Sequence, residues 1–93
     1  KLFEILSTST GSCWAINNYC PIEGVGPKSP ADNNFQPGFS ANLMLKDLTI
    51  ALKAIAETNT SAPFGVKAQE NFKNMVESNK GTLDFSAITE FNK

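Results

Sequence analysis

The sequence predicts an all-α fold of four or five helices without a sheet. Residues 39–58 contain no internal glycine or proline, and their apolar side chains recur at the three- and four-residue spacing of a helix face. Residues 62–80 repeat this spacing, whereas no segment alternates apolar and polar residues cleanly enough to be a half-buried strand. A chain of 93 residues is sufficient for one small domain with a thin core.

The first predicted helix covers residues 1 to about 9, with Gly11 as its stop. Ser12 is expected to cap a short turn or helix that carries Trp14. The chain opens with an amphipathic segment that has neither an initiator methionine nor a capping residue. We therefore expect Lys1 to be a cut within, or at the edge of, a helix of a longer protein.

A long loop is predicted between residues 19 and 38, which contain four prolines and three glycines. This composition is incompatible with a helix or a central strand, so residues 21 to 37 are expected to be extended and irregular. Loops of this length inside a small domain are often functional, but they can also be simple surface excursions. The residues alone leave both interpretations open.

Two long helices and one short helix are predicted after the loop. The longest, residues 39–58, has an apolar stripe at helical spacing, formed by Met44, Leu48, Ala51, Leu52 and Ile55. The second, residues 62–80, is expected to start at a Ser61 cap and to bury Phe64, Ala68, Phe72, Met75 and Val76. Asp84 is expected to cap the short helix, whose apolar face is Phe85, Ile88 and Phe91.

Composition excludes several classes of function. Eight lysines against nine acids, without arginine or a basic cluster, argue against nucleic-acid binding. No apolar run reaches the roughly 18 residues of a membrane span. Histidine is absent, which removes the commonest general base, and Cys13 and Cys20 without histidine do not make a metal site. We expect both cysteines to be reduced thiols.

Lys46 and Asp47 are the first candidate site residues, because they lie in the middle of the longest predicted helix among apolar neighbours. That helix is apolar nearly all round, which predicts burial against more than one element. A charge in such surroundings needs a partner, so the pair is either functional or a structural ion pair that reaches water. Adjacent helix positions point about 100° apart, so we do not expect the two side chains to pair with each other.

Three aromatic residues are further candidates. Phe39 follows Gly38 at the helix entrance, seven residues before Lys46 and on the same face. Its ring is suited to packing a ligand, or to closing the loop as a hydrophobic staple. Trp14 and Tyr19 bracket the start of the long loop, and each has an apolar body with a polar tip. They either line a pocket or anchor the loop to the core.

Four segments resemble the 3-hydroxyisobutyrate dehydrogenases, a branch of the β-hydroxyacid dehydrogenase family. They are residues 11–14 (GSCW), 19–25 (YCPIEGV), 30–39 (PADNNFQPGF) and 43–48 (LMLKDL). The resemblance runs over essentially the whole chain and keeps the order and spacing of the segments. It implies that residues 1–93 are the helical C-terminal domain, of the 6-phosphogluconate dehydrogenase C-terminal type, which covers the substrate and cofactor.

The resemblance also implies roles for individual residues. Lys46 would contact the cofactor, NAD, at its nicotinamide end, and Asp47 would hold the local hydrogen-bond network around the substrate. Phe39 would pack near the nicotinamide and the substrate, while Trp14 and Tyr19 would line the substrate pocket. No catalytic residue is expected in this chain, because the family carries its catalytic lysine and companion asparagine on the interdomain helix. The phosphate-binding Gly-x-Gly-x-x-Gly turn is absent as well.

The implied function is one wall of an NAD-dependent enzyme that oxidises 3-hydroxyisobutyrate to methylmalonate semialdehyde in valine catabolism. The fragment would be inactive without its Rossmann domain, and the parent enzyme would be a homo-oligomer. It would lie in the mitochondrial matrix of a eukaryote or in the cytoplasm otherwise. The alternatives are a related β-hydroxyacid dehydrogenase or semialdehyde reductase and, from another class, a stand-alone helical interaction module.

Overall fold

Five α-helices make up the domain in a computed structural model that describes residues 1–92. They are α1 (Leu2–Ser7), α2 (Trp14–Asn18), α3 (Ala41–Glu57), α4 (Pro63–Met75) and α5 (Ile88–Phe91). Within residues 1–92 the only β-type pairing is an isolated bridge between Ser40 and Asp84. The prediction of an all-α fold with four or five helices is confirmed. No helix in the described part of the chain has the length and apolar character needed to cross a bilayer.

The pair α3 and α4 forms the centre of the domain. Helix α3 begins two residues later than residue 39, because Ser40 is extended and its hydroxyl accepts the N–H of Leu43 at 3.3 Å. This is the N-terminal cap that such a hydroxyl provides. A hydrogen bond of 3.1 Å from the Gln69 amide to the Thr49 hydroxyl crosses between the two helices. The longest predicted helix is thus confirmed, with its start shifted.

The core lies where α3, α4 and the C-terminal segment meet. Its buried members are Ala41, Phe72, Met75 and Ala87. Phe64, which the stripe on α4 predicted to be buried, is 90 % exposed, so that prediction is wrong. Helical side chains lean toward the N-terminus, so a ring on the first turn of α4 projects past its partner helix. Gly65, in the same turn, faces α3 instead, because a Cβ there would lie 3.5 Å from the Leu52 side chain.

Helix α4 ends earlier than residue 80. After Met75 the chain makes a π-helical turn, Val76–Lys80, in which Asn79 adopts a left-handed conformation with φ of 64°. Asparagine tolerates this conformation better than most residues, which ends the helix before Gly81. At the other end of α4 the cap position is Ala62, which has no side-chain acceptor, so the prediction of Ser61 as the cap is wrong.

The first helix is also shorter than predicted, and the second has a different cap. Helix α1 stops at Ser7 because the Thr8 hydroxyl bonds the carbonyl of Glu4 at 2.9 Å, so the helix does not run on toward Gly11. The cap position of α2 is Cys13. Ser12, the predicted cap, instead accepts a hydrogen bond of 3.0 Å from the Asn17 side chain.

The long loop is irregular as predicted, apart from one 3-10 turn at Pro30–Asn33. Asp32 organises it by accepting the backbone N–H groups of Gly24 at 2.7 Å and Ser29 at 2.9 Å. Gly26 has a φ of 72°, and a Cβ there would lie 2.7 Å from the Phe3 ring. Only glycine satisfies both constraints, so the loop can pack directly against α1.

Candidate functional site

The outward face of α3 presents Lys46 and Asp47. Their side chains are 59 % and 53 % exposed, and Lys46 Nζ lies 3.4 Å from Asp47 Oδ1. The expectation that the two would not pair is therefore wrong, because the flexible lysine stem spans the angle between adjacent helix positions. Leu43 and Ile50, one turn to either side, are exposed as well. The predicted burial of α3 on several sides is not met within residues 1–92, where this face is open.

Four aromatic rings form a continuous ladder at the other part of the candidate site. Trp14 stacks on Tyr19 with ring centroids 5.4 Å apart, and Tyr19 stacks on Phe85 at 5.3 Å. Phe39 and Phe85 are arranged edge-to-face, with ring centroids 6.0 Å apart. The ladder joins the three predicted aromatic candidates through Phe85, with the exposed Trp14 at one end and the entrance of α3 at the other.

A fully buried carboxylate, Asp84, lies behind the ladder and is 0 % exposed. Its Oδ1 accepts the Tyr19 hydroxyl at 2.7 Å, the Gly38 N–H at 2.9 Å and the Phe39 N–H at 3.0 Å. Its Oδ2 accepts the hydroxyl and N–H of Ser86 at 2.6 Å and 3.0 Å. Asp84 therefore caps the short C-terminal helical segment as predicted, and in addition it links three separate parts of the chain.

The protonation of this group is set by its neighbours. Burial opposes ionisation of Asp84, but hydrogen bonds from Ser86, from the Phe39 N–H and from Tyr19 outweigh it. The pKa of the carboxyl therefore lies below its ordinary range. Burial, followed by the hydrogen bond to Asp84 and its negative charge, raises the pKa of Tyr19 to about 12. The site thus holds an ionised aspartate and a neutral tyrosine at neutral pH.

The N-terminus of α3 is satisfied within the domain. The N–H of Ala41 donates to the Leu83 carbonyl at 2.8 Å, and the N–H of Asn42 donates to the Gly81 carbonyl at 2.9 Å. A helix N-terminus binds anions when such donors are free. Here they are not, so a cofactor phosphate at the start of α3 would have to displace existing hydrogen bonds.

An open apolar groove of about 400 Å³ lies beside the ladder. Its lining includes Ile16, Tyr19, Met44, Phe72, Phe85 and Ile88. The groove lacks charged side chains, so it is suited to packing and not to acid–base chemistry. No group of three or more His, Cys, Asp or Glu residues suited to a metal is present among residues 1–92. Cys13 and Cys20 are free thiols.

The predicted site residues thus fall into two groups. Trp14, Tyr19 and Phe39 meet in the ladder, whereas Lys46 and Asp47 pair on α3. Within the described chain, no hydrogen bond, ion pair or ring contact joins the two groups. The sequence placed Phe85 on an apolar helix face but did not identify it as a site residue, and it did not reveal the wider role of Asp84. An acid set between apolar residues at 83 and 85 was the available signal, because such a carboxylate needs several donors when buried.

Comparisons with known proteins agree with this architecture. Residues 1–91 match the family model described as "NAD-binding of NADP-dependent 3-hydroxyisobutyrate dehydrogenase". A solved structure of the Mycobacterium tuberculosis 3-hydroxyisobutyrate dehydrogenase with L-serine superimposes with a TM-score of 0.92 at 41 % identity. That match covers 99 % of this chain and 31 % of the solved chain.

Curated relatives give the same result. A probable 3-hydroxyisobutyrate dehydrogenase of Mycobacterium bovis is 44 % identical over 88 residues, which are 95 % of this chain and 30 % of the relative. The mitochondrial 3-hydroxyisobutyrate dehydrogenase of Drosophila melanogaster is 36 % identical over 90 residues, which are 97 % of this chain and 28 % of the relative. The chain spans about a third of the length of the relatives it matches, and it belongs to the 3-hydroxyisobutyrate dehydrogenase NAD-binding domain family.

Proposed function

We propose that this chain is the helical wall of the active site in an NAD-dependent 3-hydroxyisobutyrate dehydrogenase. The parent enzyme would oxidise 3-hydroxyisobutyrate to methylmalonate semialdehyde during valine catabolism. The observation that carries the proposal is the open face of α3, where Lys46 and Asp47 stand between the exposed side chains of Leu43 and Ile50. An apolar face with a central charge pair is suited to being covered by another domain that holds a charged ligand.

The donor set of this face fits a nicotinamide cofactor. Lys46 supplies three N–H donors on a flexible stem, and Asp47 restrains the ammonium at 3.4 Å. We expect Lys46 to contact the nicotinamide end of the cofactor once the other domain closes over α3. When bound, the cofactor accepts the hydride from the hydroxyl-bearing carbon of the substrate. The dinucleotide fold that would hold the rest of the cofactor belongs to the proposed Rossmann domain.

The remaining candidates act on the substrate side in this proposal. Trp14, Tyr19 and Phe39 offer ring faces and edges that exclude water from the reacting carbon. Asp47 keeps Lys46 oriented and holds the local hydrogen-bond network beside the substrate. The hydroxyl proton would pass to a lysine of the interdomain helix, as in the family. Neither Lys46 nor any other lysine of this chain takes that role.

One relative supports a substrate class for this proposal. The solved Mycobacterium tuberculosis enzyme is a structure with L-serine, which, like 3-hydroxyisobutyrate, is a 3-hydroxypropanoic acid that carries one substituent at its second carbon. This supports a 3-hydroxy acid as substrate for the protein that contains the present chain. Since one solved complex does not distinguish close homologues, a related β-hydroxyacid dehydrogenase or semialdehyde reductase is the competing enzyme function.

Partners and location are also proposals. We expect the exposed apolar residues to be covered by the Rossmann domain and by a second subunit of a homo-oligomer. Relatives from Arabidopsis thaliana and Drosophila melanogaster are named as mitochondrial. We therefore expect the parent protein in the mitochondrial matrix of a eukaryote, or in the cytoplasm of a bacterium.

A substrate panel on the full-length protein tests this function. 3-Hydroxyisobutyrate, L-serine and other 3-hydroxy acids would be offered with NAD and with NADP, and tartronate semialdehyde with the reduced cofactors. The expected result is the highest kcat/KM for 3-hydroxyisobutyrate with NAD. Preferred reduction of the semialdehyde would support the competing enzyme. Absence of turnover with every compound would contradict both and favour a helical interaction module.

A further inference from the structure

We propose that Asp84 is a positioning residue that fixes the substrate-facing wall of this domain by holding Tyr19 and the Gly38–Phe39 backbone on one carboxylate. This inference rests on the proposed function, since it concerns the same site. Asp84 itself is fully buried and does not reach a ligand surface. Its effect must therefore pass through the groups that it holds.

Three donors share the Oδ1 atom of Asp84. The Tyr19 hydroxyl, the Gly38 N–H and the Phe39 N–H all donate to this one oxygen, at 2.7 to 3.0 Å. The donors come from the end of α2 and from the entrance of α3, which are 19 residues apart in sequence. A single atom thus sets the spacing between the two segments that carry the aromatic candidates.

Backbone hydrogen bonds on either side reinforce this arrangement. The N–H of Asp84 donates to the Phe35 carbonyl, and the N–H of Phe85 donates to the Phe39 carbonyl, both at 2.8 Å. Phe85 then stacks on Tyr19 and makes an edge-to-face contact with Phe39. Asp84 and Phe85 therefore hold the same two segments, one through hydrogen bonds and the other through ring contacts.

A carboxylate serves this purpose better than an amide. Five donors converge on its two oxygens, and an ionised carboxyl is an acceptor at every lone pair. Asparagine has nearly the same shape but must direct an NH₂ group at donors. Asp84→Asn would therefore push away either the Ser86 side or the Tyr19 and Phe39 side while leaving the volume unchanged.

Kinetics of the full-length enzyme test the proposal. Asp84→Asn should raise the KM for the hydroxyacid and reduce kcat/KM by about 100-fold, because a displacement of about 1 Å at a reacting site has this effect. The KM for the cofactor should change much less. Asp32→Asn is the matched control, because Asp32 also accepts backbone N–H groups, those of Gly24 and Ser29, but holds neither Tyr19 nor the Gly38–Phe39 backbone. It should stay within about twofold of the wild type.

Tyr19→Phe separates positioning from general destabilisation. It removes only the hydroxyl donor and keeps the ring stack. It should therefore raise the KM for the hydroxyacid by roughly threefold to tenfold, which is the effect expected from the loss of one hydrogen bond. The Tyr19→Phe/Asp84→Asn double variant should be no worse than Asp84→Asn alone, because both changes break the same link. Should Asp84→Asn fail to fold, an unchanged KM in folded Tyr19→Phe would overturn the proposal.

A spectroscopic arm does not depend on enzyme activity. Tyr19 is the only tyrosine of this chain, so its phenolate absorbance reports one residue. Its pKa of about 12 should fall part of the way toward the ordinary value of about 10 in Asp84→Asn that retains its helical circular dichroism, because the hydrogen bond and charge of Asp84 are lost while burial of the ring remains. An unchanged titration, or an unchanged hydroxyacid KM in an active Asp84→Asn enzyme, would contradict the proposal. An inactive wild type with the expected titration shift would instead reject the proposed function and the catalytic consequence while retaining the structural link.

Discussion

Two charged residues of this domain have opposite surroundings. Asp84 is completely buried and accepts five hydrogen bonds, whereas Lys46 is more than half exposed and has one carboxylate neighbour. A buried charge is tolerated only when donors replace its water, which explains the donor set of Asp84. An exposed charge flanked by exposed apolar side chains has no such need within the domain. This contrast assigns Asp84 to internal architecture and leaves Lys46 available for a partner.

The ionisation of Asp84 predicts loss of stability in acid. Its folded-state pKa is lowered, so its contribution is complete above the unfolded-state value of about 3.9 and is lost as pH falls through the folded value. The pKa of Asp32 is lowered as well, because its carboxylate accepts hydrogen bonds from the backbone N–H groups of Gly24 and Ser29. The free energy of unfolding, measured with urea, should therefore decline below about pH 4. Asp84→Asn should show a shallower decline, and an identical slope would contradict this account.

The helices show which elements local sequence determines. Periodicity located α3 and α4 correctly, because apolar spacing reports the face that each helix buries. The ends of the helices were less predictable. Ser12 and Ser61 are residues that often cap helices, yet the observed cap positions are Cys13 and Ala62. The burial of Phe64 was also wrong, because helical spacing does not reveal where the partner helix ends.

Substitution of Met75 tests the packing of the core between α3 and α4. It is fully buried, so Met75→Ala should destabilise the domain by about 2 to 5 kcal/mol through lost contacts and the cavity left behind. Phe64→Ala on the same helix is the control and should stay within about 0.5 kcal/mol, because its ring is exposed. Chemical denaturation measures both. A larger loss for Phe64→Ala than for Met75→Ala would show that α4 packs through a different face.

The site was less predictable from sequence than the fold. Trp14, Tyr19 and Phe39 were identified individually, and the ladder does bring them together. The Tyr19–Asp84 hydrogen bond joins residues 65 positions apart, and a local sequence pattern cannot predict such a contact. The pairing of Lys46 with Asp47 was missed for a different reason. A helical wheel gives the direction of a Cβ atom, not the reach of a lysine side chain.

The whole domain is more open than its length requires. Its radius of gyration is 14.5 Å, whereas a compact domain of this length has about 12 Å. Large apolar side chains are exposed on several helices: Leu2, Ile5, Trp14, Leu43, Ile50, Phe64 and Val66. Together with a core of few buried residues, this shape fits a domain whose surfaces are covered by other parts of a larger enzyme.

Those exposed side chains predict self-association of the isolated chain. Its sedimentation coefficient should rise with protein concentration, because water-exposed apolar surface is reduced when copies associate. Double substitution of Phe64 and Val66 by serine should weaken this dependence. A monomer of constant size over a wide concentration range would show that the exposed residues do not drive association.

Cofactor binding should require the whole enzyme. The described residues contain no sheet or glycine-rich phosphate turn, and the donors at the start of α3 are already used. The isolated chain should therefore show no dehydrogenase turnover and negligible affinity for NAD in calorimetry. Micromolar binding of NAD to this chain alone would contradict the proposed division of labour.

Substitution of Lys46 in the full-length enzyme tests whether the open face of α3 contacts the cofactor. If the open face of α3 meets the cofactor, Lys46→Ala removes a charge-assisted hydrogen bond in a closed site and should cost about 2 to 4 kcal/mol of transition-state stabilisation. This corresponds to a loss of about 30- to 1,000-fold in kcat/KM with an almost unchanged melting temperature. Lys53→Ala, an exposed lysine further along α3, is the control and should be nearly neutral. Near-normal kcat/KM in Lys46→Ala, or lost activity that merely follows a collapsed melting temperature, would contradict the account.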